Sequence, residues 1–300
     1  MPFLISESDI LDCFQHLVKD VSDDVILVGS GDDAAVVKAQ EKDLVHSLDI
    51  SKVETHFPED SPAEDIAYRS VAVALSDLAA MGAYPSFISI GLTSNITELS
   101  WYKNFTKGIE KILNEYQIKL IGGDVTFGEI NICVNVFGYP YDKIITRSGA
   151  EINDSIFLTG PLGKGRKGLM DWKTNKKSSY VSKFFNPIGQ FKNSEKIAKY
   201  ATSCIDISDG LIKDLRSICE LSGVGADINI DMITITNDID DLCYGDDYEL
   251  CFTCNKKHDD LAKEQGFFKI GLITNKASKV EFRKKNKLIN FKTDGWDSFE

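Results

Sequence analysis

Apolar runs that end in acidic residues recur along the whole chain, and they constrain its fold more than any other feature. The stretch "LVGSGDDAAVV", residues 27–37, puts Asp32 and Asp33 in a glycine turn between two strand-like runs. Similar endings follow in "HSLDIS", "ALSDLAAMG", "LIGGDVTFG", "CIDISDG" and "YGDDYE". Each ending alone is ordinary turn chemistry, because water solvates carboxylates there. Their recurrence favours a site built at strand ends, as in α/β proteins.

Strand-like runs alternate with amphipathic helices in both halves of the chain. In "SESDILDCFQHLVKD" the apolar residues share one helical face, and Ser6 is placed to cap the helix. The same reasoning predicts strands at 25–29, 34–38 and 44–50, and later helices near 189–201, 209–222 and 258–265. The pattern indicates an α/β fold with α+β character.

A pause in the pattern suggests two domains. Polar turn residues occupy 140–154, and strand and helix signals restart in "SIFLTGPLGKGRKGL". A chain of 300 residues is long enough for two hydrophobic cores. We therefore expect an N-terminal domain at 1–145 and a C-terminal domain at 146–300.

The charge of the chain limits its partners. A net charge of −12 argues against nucleic acid, which requires a surplus of Lys and Arg on one face. The start "MPFLISESDILDCF" lacks the basic region of a signal peptide, and no apolar run approaches the length of a membrane span. Seven cysteines without framework spacing agree with a reducing compartment, so we expect a cytoplasmic protein. Cys251 and Cys254 of "CFTC" are interpreted as core residues, because i and i+3 lie on opposite faces of a strand.

Two glycine-rich stretches are candidate ligand sites. "TGPLGKGRKGL" fits neither the G-x-x-x-x-G-K-[ST] nor the G-x-G-x-x-G spacing of known phosphate-binding loops. It is equally consistent with a loop that turns its N–H groups and basic side chains towards phosphate and with a solvated loop. In "LIGGDVT" the paired glycines would let a ligand approach the backbone beside Asp124.

If the dispersed aspartates converge, they require cations. Clustered carboxylates cannot all remain ionised without neutralising charge, and ligation by oxygen alone favours Mg²⁺. An acidic protein could then bind a polyphosphate through metal ions.

Seven blocks together resemble the thiamine-monophosphate kinase family, in the family's order and over nearly the whole chain. They are "GSGDDAAVV", "SLDISKVETHF", "AYRSVAVALSDLAAMGAYP", "LIGGDVTFG", "TRSGAEINDSIFLTG", "IDISDGLIKDL" and "GDDYELCFT". The resemblance implies the two-domain fold shared with aminoimidazole ribonucleotide synthetase, in which N-terminal sheets of two subunits pair into a dimeric β-barrel. It implies a homodimer that binds ATP and Mg²⁺ in its N-terminal domain and completes the active site with its C-terminal domain.

The reaction implied is phosphorylation of thiamine monophosphate by ATP, giving thiamine diphosphate. The accepting phosphate oxygen is already anionic at neutral pH, so no general base is needed. Several Mg²⁺ ions would bring the two polyanions into line for direct transfer.

By the same resemblance, individual residues take on roles. The metal ligands implied are Asp33, Ser47, Asp49, Asp77, Asp124, Asp206 and Asp209. Asp32 is expected to be a turn residue or to support the ligands from behind, and not to bind the metal directly. Nucleotide contacts fall to Gly123, Asp124, Arg147 and Ser208, and the catalytic set is Asp124, Asp209 and Arg147. Asp209 has the alternative role of helix N-cap, and Arg147 that of a surface charge.

The acceptor side is implied to involve His56, Asp246 and Trp296, with the indole stacking on a cationic ring. Residue types alone favour ordinary packing for His56 and Trp296. Two positions depart from the family, which commonly has Thr at Leu48 and Glu at Asp246. Leu48 could cost the site one metal-binding oxygen. At Asp246 the carboxylate that contacts the substrate is carried on a side chain one methylene shorter.

Two other functions remain open at this point. One is another ATP-using member of the superfamily, such as an amidine-forming ribonucleotide synthetase. The other is a non-catalytic nucleotide-binding module. The acceptor that stimulates ADP release would separate them.

Overall fold

A computed structural model describes residues 6–19, 21–29 and 34–299. These residues form two compact units. The first consists of the chain up to Leu78 together with Tyr84–Pro140, and the second consists of Ala79–Ala83 and the chain from Tyr141 onward. Asp32 and the predicted metal ligand Asp33 lie outside the described residues.

In the N-terminal half, the described residues form a four-stranded sheet and three helices. Its elements are α1 (Glu7–Val18), β1 (Ile26–Val28), β2 (Val36–Val37), β3 (Val45–Lys52), α2 (Ala63–Ala80), β4 (Ala83–Ser94), α3 (Leu99–Tyr116), β5 (Lys119–Phe127) and β6 (Asn131–Pro140). Strands β1 and β2 form a separate antiparallel ribbon. The sheet has the order β3-β6-β4-β5, with β3 antiparallel to β6 and β4 parallel to β5. Strands β3 and β5 are therefore its two edges.

The two faces of this sheet differ in burial. Along β6, the residues Ile132, Val134 and Val136 are fully buried, and those between them are half-buried. This alternation places one face against helix α2, where a β-carbon at Gly138 would lie 3.1 Å from the Leu78 side chain. We call the opposite side the open face. The β1–β2 ribbon covers one end of it, where Ile26 packs with Phe87.

Helix α1 begins where the sequence places its cap. The Ser6 side chain accepts the N–H of Asp9, and the Asp9 carboxylate accepts the N–H of Ser6 at 2.8 Å. This reciprocal pair satisfies two backbone donors at the helix start. The predicted helix and its capping residue are confirmed.

In the C-terminal half, the described residues form a seven-stranded sheet with five α-helices. Its elements are β7 (Ser155–Leu158), α4 (Lys164–Lys173), α5 (Val181–Phe185), α6 (Phe191–Ile197), β8 (Ala201–Asp206), α7 (Leu211–Ser222), β9 (Gly225–Asn229), β10 (Leu250–Cys254), α8 (Asp259–Glu264), β11 (Phe268–Thr274), β12 (Val280–Lys284) and β13 (Lys287–Ile289). The strand order is β13-β12-β9-β11-β7-β10-β8. The pairs are antiparallel except β12 with β9, which is parallel.

Strand β10 is buried on both faces, in agreement with a sequence that is apolar except for Thr253. Cys251 and Cys254 are fully buried and unpaired, so their interpretation as core residues is confirmed. Burial raises the pKa of the Cys251 thiol well above its usual range.

The α/β class and the helices predicted near 189–201, 209–222 and 258–265 are confirmed. Helices α7 and α8 are slightly shorter than predicted, and α6 has about half the predicted length. Helices α4 and α5 and strand β13 were not predicted. No closed barrel is found in the part of the chain that the structure describes, so the dimeric barrel stays a prediction. Across those same residues, no helix is both long and apolar enough to cross a membrane.

Candidate active site

Strand β3 and helix α2 bring two predicted metal ligands into contact. The Ser47 hydroxyl donates to Oδ2 of Asp77 at 2.6 Å, and this hydrogen bond joins the sheet to the helix behind it. Asp49 is two residues beyond Ser47 on the same strand, so its side chain leaves the same face. Ser47, Asp49 and Asp77 thus form one oxygen-bearing group in the first unit.

Leu48 lies on the other side of β3. It pairs with Asn135 of β6, and its side chain is 51% exposed on the open face. Because strand side chains alternate, a threonine at position 48 would also direct its hydroxyl away from Asp49 and Asp77. Only the backbone carbonyl of this residue can serve a metal on the helix side, and the Leu48 side chain does not alter that.

Asp124 is not brought to these residues within one chain. It lies on the edge strand β5, whereas Asp49 lies on the opposite edge strand β3. Three strand spacings separate them, about 14 Å. Asp124 pairs with Gly91, where a β-carbon would be 3.6 Å from Cβ of Cys133, so Asp124 is exposed on the open face.

Gly123 has a structural explanation. A β-carbon at this position would lie 2.2 Å from the carbonyl oxygen of Ile90 on the neighbouring strand. The missing side chain therefore permits close pairing of β5 with β4. This packing accounts for Gly123 without a ligand, and a nucleotide contact there stays a prediction.

His56 closes the turn that follows β3. The ring Nδ1 accepts the backbone N–H of Lys52 at 3.0 Å, and the backbone N–H of His56 donates to the Lys52 carbonyl at 2.8 Å. Nδ1 therefore carries no proton in this arrangement, and Nε2 is the protonated nitrogen of the neutral ring. The ring has a structural role in addition to the acceptor contact predicted for it.

In the second unit, three carboxylates gather between the end of β8 and the start of α7. Oδ2 of Asp214 accepts the N–H groups of Asp209 at 3.2 Å and Gly210 at 3.0 Å. Burial, with the charges of Asp206 and Asp209, raises the pKa of Asp214 to about 8. Asp214 was not singled out from the sequence, although its place five residues after Asp209 could have suggested it.

Asp209 is not the N-cap of α7. The cap is Gly210, which makes no side-chain hydrogen bond, and the Asp209 carboxylate instead pairs with Lys213 at 2.9 Å. The capping alternative for Asp209 was therefore wrong. Its carboxylate faces the side of the helix start that Lys213 occupies.

The loop "GDDY" packs directly on the turn that carries Ser208. A β-carbon at Gly245 would lie 1.5 Å from the Ser208 carbonyl oxygen, which also accepts the N–H of Asp246 at 3.0 Å. Asp246 and Tyr248 both adopt positive φ, at 66° and 52°, which is uncommon for residues other than glycine. The Tyr248 hydroxyl donates to Oδ1 of Asp246 at 3.0 Å. Asp246, which is predicted to contact the phosphoryl-accepting substrate, is thus held in place by Tyr248.

Asp247 caps helix α4 from 84 residues away. Its Oδ2 accepts the N–H of Gly163 at 2.7 Å, and its Oδ1 accepts those of Lys164 at 2.9 Å and Gly165 at 3.3 Å. Burial raises the pKa of Asp247 to about 7, although the three N–H groups act in the opposite direction.

These contacts argue against both interpretations of "TGPLGKGRKGL", as a phosphate-binding loop and as a solvated loop. The segment from Lys164 onward is helical, which excludes a solvated loop there. Its N–H groups serve Asp247, and its basic side chains form ion pairs inside the unit: Lys164 with Glu249, Arg166 with Asp238 and Asp241, and Lys167 with Asp171. The donors that a phosphate would need already have carboxylate partners.

Asp247→Asn is expected to lower the free energy of unfolding by about 1–3 kcal/mol at pH 8, where the native carboxylate is ionised. The amide retains one acceptor oxygen, so its NH₂ group would face at least one of the three N–H donors. Urea denaturation measures the change. Asp246→Asn is the matched control, because asparagine tolerates positive φ and can still accept from Tyr248. Equal stability of the two variants would contradict the capping role.

Arg147 lies at the start of the second unit with its side chain exposed. Its backbone is fixed, because the Ser222 hydroxyl donates to the Arg147 carbonyl at 3.1 Å and accepts the N–H groups of Gly149 and Ala150. Across the part of the chain that is described, the guanidinium forms no ion pair. A fixed backbone with an exposed cation suits a contact with an anion.

Trp296 lies in the C-terminal segment, with its side chain 44% exposed. The backbone N–H of Trp296 donates to the Asp209 carbonyl at 2.9 Å. Trp296, which is predicted to contact the phosphoryl-accepting substrate, is therefore attached to the turn that carries Asp209, a predicted metal ligand.

The donor chemistry of both groups fits Mg²⁺, but neither group is complete. Every candidate donor is a carboxylate or hydroxyl oxygen, the type that Mg²⁺ prefers. The rise in the pKa of Asp214 beside two further carboxylates also indicates a place that a cation would stabilise. Among the described residues, however, no three His, Cys, Asp or Glu side chains lie close enough to hold a metal ion.

Comparison with known proteins first gives the class. Residues 31–139 match the model of the N-terminal domain of AIR synthase related proteins. This match and the mixed α/β architecture define the chain as an AIR synthase related protein.

Relatives then give the family. The thiamine-monophosphate kinase of Buchnera aphidicola subsp. Acyrthosiphon pisum is 36% identical over 308 residues, covering 94% of each chain. The structure of the thiamine-monophosphate kinase from Stenotrophomonas maltophilia K279a matches with a TM-score of 0.82 at 28% identity, covering 95% of this chain and 98% of that one. AaThiL complexed with AMPPCP and TMP has the same fold, with a TM-score of 0.78 at 24% identity over 98% and 99% of the two chains. The chain belongs to the thiamine-monophosphate kinase family.

Proposed function

We propose that this protein transfers the γ-phosphoryl group of ATP to thiamine monophosphate and so forms thiamine diphosphate. The observation that carries the proposal is the oxygen-only chemistry of its two groups, Ser47 with Asp49 and Asp77, and Asp206 with Asp209 and Asp214. Such groups suit reactions between phosphates that cations bridge. The family relationship, 36% identity over 94% of each chain, supports the same reaction.

The chemistry asks little of the protein beyond placement and charge. The attacking oxygen belongs to a phosphate that is already ionised, so no side chain has to remove a proton. The exposed Arg147 guanidinium would bind a phosphate oxygen of the nucleotide, and Ser208 would contact it from the end of β8. Asp124 and Asp209 would hold the cations that lie against the transferred group.

Mg²⁺ is the cation we propose, in several copies. Bound Mg²⁺ would neutralise phosphate charge and orient the reacting oxygens for in-line transfer. Ser47, Asp49 and Asp77 would hold it in the first unit, and Asp206 and Asp209 in the second. Asp33 and Asp124 complete the proposed set.

On the acceptor side, we propose contacts from His56, Asp246 and Trp296. The Tyr248 hydrogen bond fixes the Asp246 carboxylate, which compensates for a side chain one methylene shorter than the family's glutamate. The exposed Trp296 indole is available to stack on the cationic thiazolium ring.

We further propose a homodimer in which open faces of two sheets meet. Leu48 and Ile50 are 51% and 45% exposed there, beside the half-buried Phe137. Adjacent apolar side chains on one sheet face favour association. Pairing two four-stranded sheets would close the dimeric barrel predicted from the sequence, with β3 of one chain beside β5 of the next.

This dimer would also supply the missing ligand. Asp124 is about 14 Å from Asp49 across its own sheet, whereas edge pairing would bring the second copy's β5 to β3. Asp124 leaves the open face of β5 and Asp49 the helix face of β3, so a cation that both bind would lie at the seam between the two paired edges. We therefore propose that each metal site takes Asp124 from the other subunit across that seam. The N-terminal unit would then serve ATP and Mg²⁺ binding and dimerisation, and the C-terminal unit would complete the site. The seven unpaired cysteines support a cytoplasmic location.

The test of function is ADP release with and without thiamine monophosphate, with thiamine diphosphate identified by mass spectrometry. We expect release to depend on both thiamine monophosphate and Mg²⁺. Asp77→Asn, which removes the negative charge beside Ser47, is the inactive control. Release stimulated instead by a ribonucleotide amide would favour an amidine-forming synthetase. ATP binding without acceptor-dependent release would favour a non-catalytic module.

A further inference from the structure

The C-terminal segment has few apolar contacts to hold it in place. After β13 the chain has no further helix or strand through residue 299. Phe291 packs edge-on against Phe282, with ring centroids 5.4 Å apart. Beyond Phe291 the side chains of Lys292, Thr293 and Asp294 are exposed. Other interactions must therefore position Trp296.

Those interactions are polar, and they come from helix α7. The Arg216 guanidinium binds the Asp294 carboxylate through two parallel bonds, of 2.5 and 3.0 Å. The Lys213 ammonium donates to the Trp296 carbonyl at 2.5 Å and pairs with the Asp209 carboxylate at 2.9 Å. Both peptide groups of Trp296 are thus engaged, since its N–H also donates to Asp209.

The spacing of the α7 residues sets the course of the segment. Asp209, Lys213 and Arg216 are separated by four and three residues, so they follow one side of the helix start. Asp294 meets the helix at Arg216, and Trp296 meets it one turn earlier, at Lys213 and Asp209. Gly295 fits between, where a β-carbon would lie 2.7 Å from Cβ of Lys213.

We propose that Lys213 and the Arg216–Asp294 pair are positioning residues that hold Trp296 beside Asp209 and so set the affinity for the aromatic part of the acceptor. This rests on the proposed function, in which Trp296 stacks on thiamine monophosphate. The Arg216–Asp294 bonds act on the backbone two residues before the indole, and Lys213 acts on its carbonyl. Neither residue needs to touch the substrate.

The geometry supports a measurable effect from residues that remain partly exposed. Exposed ion pairs are individually weak, but the two-bond arginine–carboxylate geometry is the stronger form. The bonds with Asp294 raise the pKa of Arg216, and those with Arg216 lower the pKa of Asp294. With little apolar packing beyond Phe291, loss of this pair would release the segment to sample other positions.

A charge-swap series tests the proposal. Arg216→Asp and Asp294→Arg alone should each raise the KM for thiamine monophosphate about fivefold, the equivalent of one strong exposed ion pair. The KM for ATP should change less than about twofold, because no nucleotide contact is lost. The double variant should restore the acceptor KM, since the pair is re-formed with its charges exchanged. Lys263→Asp, which breaks the exposed pair with Asp260 on α8, is the matched control.

A second measurement reports on the segment without using activity. Trypsin cleaves after Lys292, which is exposed, and releases residues 293–300. Mass spectrometry should show faster release from Arg216→Asp and Arg216→Gln than from the wild type, with the wild-type rate restored in the double variant. Circular dichroism confirms that each variant is folded.

The outcomes separate the failure of this proposal from that of the proposed function. Faster release together with an unchanged acceptor KM would show a tethered segment that does not position an acceptor residue, and would overturn the proposal. Equal rises in both KM values, or no recovery in the double variant, would also overturn it. If the wild type forms no ADP with thiamine monophosphate, the proposed function fails first, and this assignment fails with it.

Discussion

Asp124→Asn is expected to lower turnover about 100- to 1,000-fold, the range typical of removing one group that stabilises charge in a transition state. The substitution keeps the shape of the side chain and removes one negative charge. If Asp124 holds Mg²⁺ against the nucleotide phosphates, the loss falls on turnover, and raising Mg²⁺ recovers part of it. Burial is not at stake, because Asp124 is exposed on the edge strand β5.

Steady-state assays that vary ATP, thiamine monophosphate and Mg²⁺ separately measure this effect. Asp43→Asn is the matched control, since it removes an exposed carboxylate that precedes β3 in the same unit. Circular dichroism and urea denaturation establish that the variants are folded. A folded Asp124→Asn enzyme with wild-type turnover at low Mg²⁺ would show that Asp124 holds no catalytic cation.

Local signals in the sequence were sufficient for much of the fold. The helix at Glu7–Val18 and its Ser6 cap follow from residues within one turn of each other. The buried cysteines of β10 follow from a strand-like run in which positions i and i+3 lie on opposite faces. The alternation in "HSLDIS" likewise places Ser47 and Asp49 on one side of a strand and Leu48 on the other.

Contacts between distant segments were beyond such signals. Ser47 meets Asp77 across 30 residues, and Asp247 reaches the start of α4 across 84. An aspartate that caps a helix from so far away has no local pattern to identify it. For this reason the glycine-rich stretch could be interpreted as a phosphate loop, although its amide groups already have an acceptor.

The recurrence of acidic residues did identify both groups of oxygen donors, but not what each residue does. Asp246 and Asp247 are neighbours of the same type, yet one is held by Tyr248 and the other caps a helix. Asp214 was not predicted, because it lies inside helix α7 and does not end an apolar run. The sequence indicates which segments carry the oxygen donors, but the role of each carboxylate follows only from how these segments pack.

Because Asp49 and Asp124 lie on opposite edge strands of one sheet, the proposed metal site requires Asp124 from a second subunit. A dimer that combines two different variants tests this requirement. We expect a hybrid dimer of one Asp49→Asn chain and one Asp124→Asn chain to regain about half of the wild-type turnover, although each variant alone is nearly inactive. If Asp124 serves the site of the other subunit, one site of the hybrid contains both substitutions and the second contains neither. If Asp124 serves its own chain, both sites of the hybrid carry one defect and no activity returns.

The hybrid is obtained by co-expressing the two chains with different affinity tags and purifying through both. A hybrid of Asp49→Asn with Asp77→Asn is the matched control, because Ser47 joins these two positions within one chain and each site keeps one defect. We therefore expect the control hybrid to stay inactive. Recovery in the control as well would indicate that chains reassort during the assay, and sedimentation of the purified hybrid checks this. A wild-type protein that is fully active as a monomer would rule out shared sites, because Asp124 would then have to act across the 14 Å or so that separate it from Asp49 in its own sheet.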